Sequence, residues 1–276
     1  MEYGINGKVA VVSGGSRGIG RAIATMLAGE GARVLIAART PSHLDEAAAA
    51  IDVLAPGHVE AVTGDMTDPA DVERVVGVAR QRFGAVGIAV SNVIGHVIDP
   101  GKEGEGPGAG TFATMPPAEY RREFKSLFVS AWALANACLP DMRAARWGRI
   151  CNIGSVVARE PTTDLPHILP NTVRAPVAGL YRLLAGRLAS DGITVNNILT
   201  GSISTERNTS YWKWLAAERG QTEDEVTEGK RAAIPLRRNG YPEEMAALVT
   251  FLCSHHAARI TGQSIPVSGG SGAKHI

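Results

Sequence analysis

Seven short apolar runs alternating with longer segments of helical period confine this chain to a narrow set of folds. The runs are Val9–Val12, Val34–Ala38, Val59–Thr63, Ile88–Ser91, Arg149–Ile153, Ile193–Ile198 and Ser264–Val267, with amphipathic stretches such as Arg21–Gly29, Pro69–Phe83 and Pro242–Ser254 between them. Strands that recur in this way are parallel, because a parallel neighbour is reached only by a crossover, and the crossover helices cover both faces of the sheet. The sequence therefore predicts an α/β fold, a single doubly wound domain over residues 1–276 with no internal repeat and no linker. One stretch breaks the rhythm. Gly95 to Pro117 carries Gly101, Gly104, Gly106, Gly108 and Gly110 with prolines among them, too flexible for a core element. It follows the fourth run, on the side where such sheets bind ligands, and reads either as a flap over a site or as a solvated insertion.

Charge and cysteine usage exclude several classes of partner. The 276 residues are 45% hydrophobic, enough for one large core, and 28 basic against 27 acidic residues leave a net charge of +1. Balance of this kind argues against nucleic acid or an anionic membrane as the main partner. Cys138, Cys151 and Cys253 lack the paired spacing of a metal site and read as buried thiols in a reducing compartment. No apolar run approaches the ~18 residues of a membrane span, and Met1-Glu2-Tyr3-Gly4 has neither the basic nor the apolar part of a signal peptide. A cytoplasmic protein is expected.

The first run leads into the strongest chemical signal, Ser13-Gly14-Gly15-Ser16-Arg17-Gly18-Ile19-Gly20. Gly14, Gly18 and Gly20 permit a tight reversal and close backbone approach to a pyrophosphate, while a helix starting near Gly18 aims free N–H groups and its positive end at the phosphate. Strand, glycine turn, helix and second strand together make the pattern a dinucleotide site. The second strand ends Ala37-Ala38-Arg39, with no acidic residue to accept hydrogen bonds from ribose hydroxyls. Arg39 and Arg17 instead suit a 2′-phosphate, so the cofactor expected is NADP(H).

With these residues in view, the chain resembles the short-chain dehydrogenase/reductase family from about Gly7 to Gly270. The matching pieces are the glycine turn with Ser16 and Ile19; Gly64-Asp65-Met66-Thr67-Asp68; Ser91-Asn92; Asn152-Ile153-Gly154-Ser155; Gly192-Ile193-Thr194-Val195-Asn196; and Ile260-Thr261-Gly262-Gln263. The resemblance implies a Rossmann-like domain, adenine contacts at Asp65 and Met66, a cofactor contact at Asn92, and a homotetramer or homodimer built through two long helices. The apolar stripe Phe124, Leu127, Phe128, Ala131, Leu134 and Ala135 fits such an interface, and fits an intramolecular core equally well.

The departures from the family pattern bear on function. The family positions a carbonyl with a serine, protonates it from a tyrosine, anchors nicotinamide ribose with a lysine and holds a relay water with an asparagine. Ser155 matches the serine, but the other slots hold Pro170, Arg174 and Leu127, and no tyrosine in the chain has a lysine four residues on. Arg174 keeps a charge and five donors without releasing a proton near neutrality, and Pro170 donates nothing. His167, Asp164 and Tyr181 are the candidate proton donors, Tyr181 reading chiefly as core. Pro176 suggests a helix whose first turn is capped by Thr172. His43, His58, His255 and His256 read as solvated surface. The segment of about 202–232 falls where the family covers its substrate, and its Tyr211, Trp212 and Trp214 either line an apolar pocket or pack a surface helix.

Two function classes follow. One is an NADP-dependent oxidoreductase passing hydride to a small C=O or C=N substrate from a degenerate catalytic set of Ser155, Arg174 and His167. The other is a redox-neutral lyase, isomerase or cyclase, or a cofactor-binding protein without catalysis. The same altered Asn171-Thr172-Val173-Arg174 resembles a ketoacyl reductase-like offshoot of the family, which implies no acyl substrate.

Overall fold

Val9–Ser13 (β1) is buried along its whole length, and its alternating side chains start two cores. Val9 and Val11 join one apolar cluster, Ala10 and Val12 the other, as the two-residue period of a strand requires. In the computed structural model, which describes residues 2–93, 115–161 and 168–271, six more strands extend this pattern. They are β2 (Arg33–Ala38), β3 (Val59–Thr63), β4 (Val86–Ser91), β5 (Gly148–Ser155), β6 (Ile193–Thr200) and β7 (Ser264–Val267). All pairings are parallel, in the order β3-β2-β1-β4-β5-β6-β7. This is the predicted single Rossmann-like domain with its seven-stranded sheet. No described helix is long and apolar enough to cross a membrane.

Helices α1 (Gly18–Gly29), α2 (Pro41–Leu54) and α9 (Pro242–Cys253) cover one face, with Ile23, Leu27, Leu44, Ile51, Met245 and Leu252 packed against it. On the other face lie α3 (Pro69–Phe83), α5 (Ser130–Ala145) and α6 (Ile168–Leu188), contributing Val72, Val75, Ala131, Leu134, Val177 and Tyr181. A short α4 (Pro117–Phe124) runs through a π-turn, Lys125–Val129, into α5. The pair α7 (Glu206–Arg219) and α8 (Glu223–Ala232) forms a small cluster of its own from Leu215, Ala216 and Val226. Local chemistry sets the ends. Asp68 caps α3 by accepting from Ala70 N at 2.9 Å, and Gly84, with φ of 97°, stops it.

α6 differs from the sequence expectation. Thr172 is not its N-cap: the helix begins at Ile168, and the Thr172 hydroxyl bonds back to Leu169 O at 2.8 Å. Pro170 falls in the first turn, where N–H groups have no helical partner, and Pro176 lies in the interior. The helix continues through Pro176 because Leu169, Val173, Val177, Tyr181, Ala185 and Leu188 form one buried ridge. Pro176 itself is exposed, so the Thr172 carbonyl it leaves unpaired is open to water. The glycine-rich stretch falls outside the described residues up to position 114, and its last residue, Pro117, opens α4. Most of the apolar stripe, from Leu127 to Ala135, is intramolecular core, while Phe124 stays exposed and stacks on Phe128 at 4.5 Å.

Three elements meet at Asp141 of α5. Its Oδ2 accepts from Arg80 Nε of α3 at 2.8 Å and from Val86 N at the start of β4 at 2.9 Å, while Arg80 Nη2 donates to Ala137 O at 2.6 Å. Asp141→Ala leaves a guanidinium and a backbone N–H without their acceptor, at a cost of about 2 kcal/mol. Urea unfolding should show a lower midpoint with an unchanged slope.

Candidate functional site

Because every strand is parallel, the ends of β1 to β6 lie along one edge, and the strand order reverses between β1 and β4. A crevice opens at such a reversal. The chain closes it tightly. Ser13 Oγ donates to Val90 O at 3.3 Å and accepts from Asn92 N at 2.9 Å, and Asn92 Nδ2 donates to Gly14 O at 3.1 Å. Gly14 and Gly18 take φ of 62° and 51°, the left-handed region that glycine favours. A Cβ on Gly20 would lie 2.1 Å from Gly14 O and 2.6 Å from Asn92 Nδ2, so the helix start meets the backbone of the turn and the side chain of Asn92 just past β4. Ser16 and Ile19 lie in the same turn, Ile19 packing on the core.

The flanks of the crevice carry charge. Arg39 is exposed just past β2. Arg17 is exposed in the turn, bonded to His43 Nε2 at 2.6 Å and paired with Glu206 Oε2 at 3.2 Å. His43 thus borders the crevice beside Arg17, which a lone histidine in the sequence gave no sign of. The other histidines read as surface also have partners: His58 Nδ1 lies 3.1 Å from Ala32 O, His256 Nε2 lies 2.9 Å from Glu2 O, and the rings of His255 and His256 meet at a tilt of 43°. At the end of β3, the Asp65 carboxylate accepts from Thr67 N at 3.0 Å and Thr67 Oγ1 at 2.9 Å. Met66 turns its side chain into the core, only 5% exposed, so its backbone is the part left to face the crevice.

The other end of the crevice holds Ser155, the last residue of β5, in register with Thr200. α6 packs along the turn Val156–Ala158 that follows it. Arg174 sits half-buried one turn past Pro170. Burial first, and then the neighbouring Arg207 of α7, push its guanidinium down to about 10, while the carboxylate of Glu123 on α4 acts in the opposite sense. At neutral pH Arg174 remains charged. Sequence reasoning missed both Arg207 and Glu123; Glu123 is only 1% exposed, an unusual position for a carboxylate that only the packing reveals. Tyr181 is core, its hydroxyl donating to Ala131 O at 3.4 Å and burial driving its pKa upward. Leu127 is core as well. His167 and Asp164 lie outside the described residues.

The aromatic residues of α7 pack the α7–α8 pair rather than an apolar pocket. Beside them a cavity of about 270 Å³ is polar, lined by Ser204, Asn208, Trp212, Glu223, Arg231 and Asn239 among others. The three cysteines are free and buried, and among the described residues no cluster could hold a metal ion.

A family model described as enoyl-(acyl carrier protein) reductase matches residues 14–272. The 2,3-dihydroxy-2,3-dihydro-p-cumate dehydrogenase of Pseudomonas putida is 33% identical over 97% of this chain and 95% of its own length. This chain is a member of the short-chain dehydrogenase/reductase family. The 3-oxoacyl-[acyl-carrier-protein] reductase FabG of Escherichia coli K12 is likewise 33% identical, over 96% of this chain and 97% of its own. Among solved structures, L-sorbose reductase from Gluconobacter frateurii, complexed with NADPH and L-sorbose, superposes with a TM-score of 0.90 at 30% identity over the whole of both chains. Membership accounts for the strand order, the glycine turn and Ser155 at the end of β5.

Two glycines give a paired test of how tightly the short-chain dehydrogenase/reductase crevice is built. Gly20→Ala forces a methyl into Gly14 O and should cost ~1–3 kcal/mol. Gly77→Ala, where a Cβ meets nothing within 4 Å in mid-α3, should stabilise by ~0.5–1 kcal/mol. Melting temperatures moving in opposite directions confirm the geometry.

Proposed function

We propose that this protein is an NADP(H)-dependent oxidoreductase that passes hydride to a small C=O or C=N substrate without the tyrosine–lysine pair of its family. The observation that carries the reading is the crevice itself. Its glycine turn is held open for a phosphate, two arginines border it at the β1 and β2 ends, and Ser155 and Arg174 stand at the other end. Support for the cofactor comes also from the L-sorbose reductase complexed with NADPH, which shares the whole fold. Bound NADPH supplies the hydride.

The residues of the chain divide the remaining work. Backbone N–H groups at the start of α1 face the pyrophosphate, with Gly14, Ser16, Gly18, Ile19 and Gly20 forming the turn. Arg17 and Arg39 hold the 2′-phosphate, which displaces Glu206 from Arg17. Asp65, the Met66 backbone and Asn92 border the adenosine half. Arg174 anchors the nicotinamide ribose, and Ser155 orients the reacting C=O or C=N. α7 and α8 cover the substrate.

Arg174 keeps its proton at neutral pH, Pro170 has none to give, and Tyr181 is sealed in the core. The proton therefore comes from His167 or from water. A missing general acid costs about 10²–10⁴-fold, so plain ketones are poor substrates and imines better ones. The same vacancy sustains a second reading, redox-neutral chemistry in which Ser155 and Arg174 hold an anionic intermediate. Oligomerisation through α5 and α6 is part of the proposal, because Trp132 and Leu183 on these helices are 43% and 59% exposed.

NADPH should bind more tightly than NADH by calorimetry, and replacing Arg17 and Arg39 together with Ser should remove the difference. Tighter binding of NADH to the unaltered protein would sink the assignment. Arg174→Met should weaken NADPH by roughly 1.5–3 kcal/mol with the melting temperature of the cofactor-free protein little changed. In steady-state assays neutral ketones should turn over slowly at pH 7; any pH–rate inflection lost in His167→Ala would identify the donor.

A further inference from the structure

The N-terminal ends of α1 and α7 meet at the glycine turn. A Cβ built on Gly18, the first residue of α1, would lie 3.3 Å from the methyl of Thr205, the cap of α7. Both helices therefore bring the positive ends of their dipoles to one junction. The start of α7 is fixed there from its own side. Thr205 Oγ1 accepts from Asn208 N at 3.2 Å, Asn208 Nδ2 donates to Ile203 O at 2.6 Å, and Ser204 N donates to Gly240 O at 2.8 Å. Glu206, the first residue of α7, reaches across the junction to Arg17, the residue that precedes α1, and its Oε2 lies 3.2 Å from Arg17 Nη1. The other nitrogen of that guanidinium, Nη2, lies 2.6 Å from His43 Nε2 on α2.

The two arginines beside the crevice are thus unequal. Arg39 makes no hydrogen bond or ion pair among the described residues, whereas Arg17 already holds a carboxylate. A phosphate monoester carries close to two negative charges near neutrality and can outbid one carboxylate for a guanidinium. The side chain of Glu206 is 81% exposed, so its ion pair is a weak one and its carboxylate returns to water when displaced. Because the start of α7 is held by bonds that do not involve Glu206, the displaced carboxylate stays close to the phosphate that replaced it and repels it. A ribose 2′-hydroxyl is uncharged and has nothing to set against the carboxylate.

We propose that Glu206 is a specificity-determining residue, which occupies Arg17 in place of the 2′-phosphate and so sets the margin by which NADP(H) is preferred over NAD(H). This rests on the reading of Arg17 as a 2′-phosphate ligand and deepens it. NADP(H) has to evict Glu206, and NAD(H) leaves the ion pair intact. The carboxylate therefore lowers the affinity for one cofactor alone, and its loss widens the preference. Glu206 acts through Arg17 and touches no reacting atom. Were the ion pair only a tie between α7 and the glycine turn, its removal would change the binding of both cofactors alike.

The test is calorimetry of NADPH and NADH on the full chain, at one pH and one low ionic strength, with Glu206→Gln, which keeps the shape of the side chain and removes its charge. The ratio of the NADH to the NADPH dissociation constant should rise by about three-fold or more, through tighter NADPH and with NADH little changed. In an Arg17→Ser background the same substitution should leave the ratio almost unmoved, because the guanidinium for which carboxylate and phosphate compete is gone. The cofactor-free Glu206→Gln protein should melt within about 2 °C of the unaltered one, as the loss of one exposed ion pair requires. A ratio that rises by less than three-fold, a rise that comes from weaker NADH alone, or a rise no smaller in Arg17→Ser would each overturn the proposal. Binding of both cofactors with an unmoved ratio overturns this inference and leaves the oxidoreductase reading standing. If the protein binds neither cofactor, that reading fails and the inference falls with it.

Discussion

Strand reversal between β1 and β4 is the constraint on which the rest of this structure depends. A parallel sheet cannot reverse its order without parting two crossover connections, and the gap so formed is where backbone must meet ligand. Here Ser13, Gly14 and Asn92 close the floor of the gap with three hydrogen bonds, so the turn is held by the sheet and not by its own propensity. The helix behind it starts at Gly18 and packs so closely that no side chain fits at Gly20. Pre-organisation of this kind means that binding does not have to order the loop.

The fold was legible because burial on both faces leaves a strong trace. Strands with two covered faces, such as β1 and β4, read as apolar runs, and the less buried edge strands β3 and β7 still keep the bounds read from the sequence, as does α3. Where propensity and tertiary contact disagree, the sequence misleads. Pro176 implied a helix start nearby, but a six-residue apolar ridge carries α6 across it, and Thr172 loses its capping role. The aromatic residues of α7 left an apolar pocket and a packed surface helix both open, and Val226 of α8 gives them packing.

The site was legible in part, and the split has a physical basis. Glycines and strand ends announce a phosphate-binding turn because backbone geometry limits which residues can stand there. Charges that act across distance give no such warning. Glu123, Arg174 and Arg207 are separated by fifty-one and thirty-three positions along the chain, and no spacing rule joins them. His43 reaches Arg17 for the same reason, through the fold alone. That no tyrosine in the chain has a lysine four residues on is, by contrast, a matter of spacing and is read directly from the sequence.

The thiols carry a practical consequence. Cys138, Cys151 and Cys253 are the chain's three cysteines, all buried, and burial pushes the Cys138 thiol up to about 12. Thiolate is the form that alkylates and oxidises, and in the native protein almost none of it is presented to solvent. A single cysteine introduced on the exposed side of α7 would therefore be the one position to take a maleimide dye in the folded protein. The native thiols need not be removed first, and the fluorescence of that one chemically defined probe would report whether the surroundings of α7 change when NADPH is added.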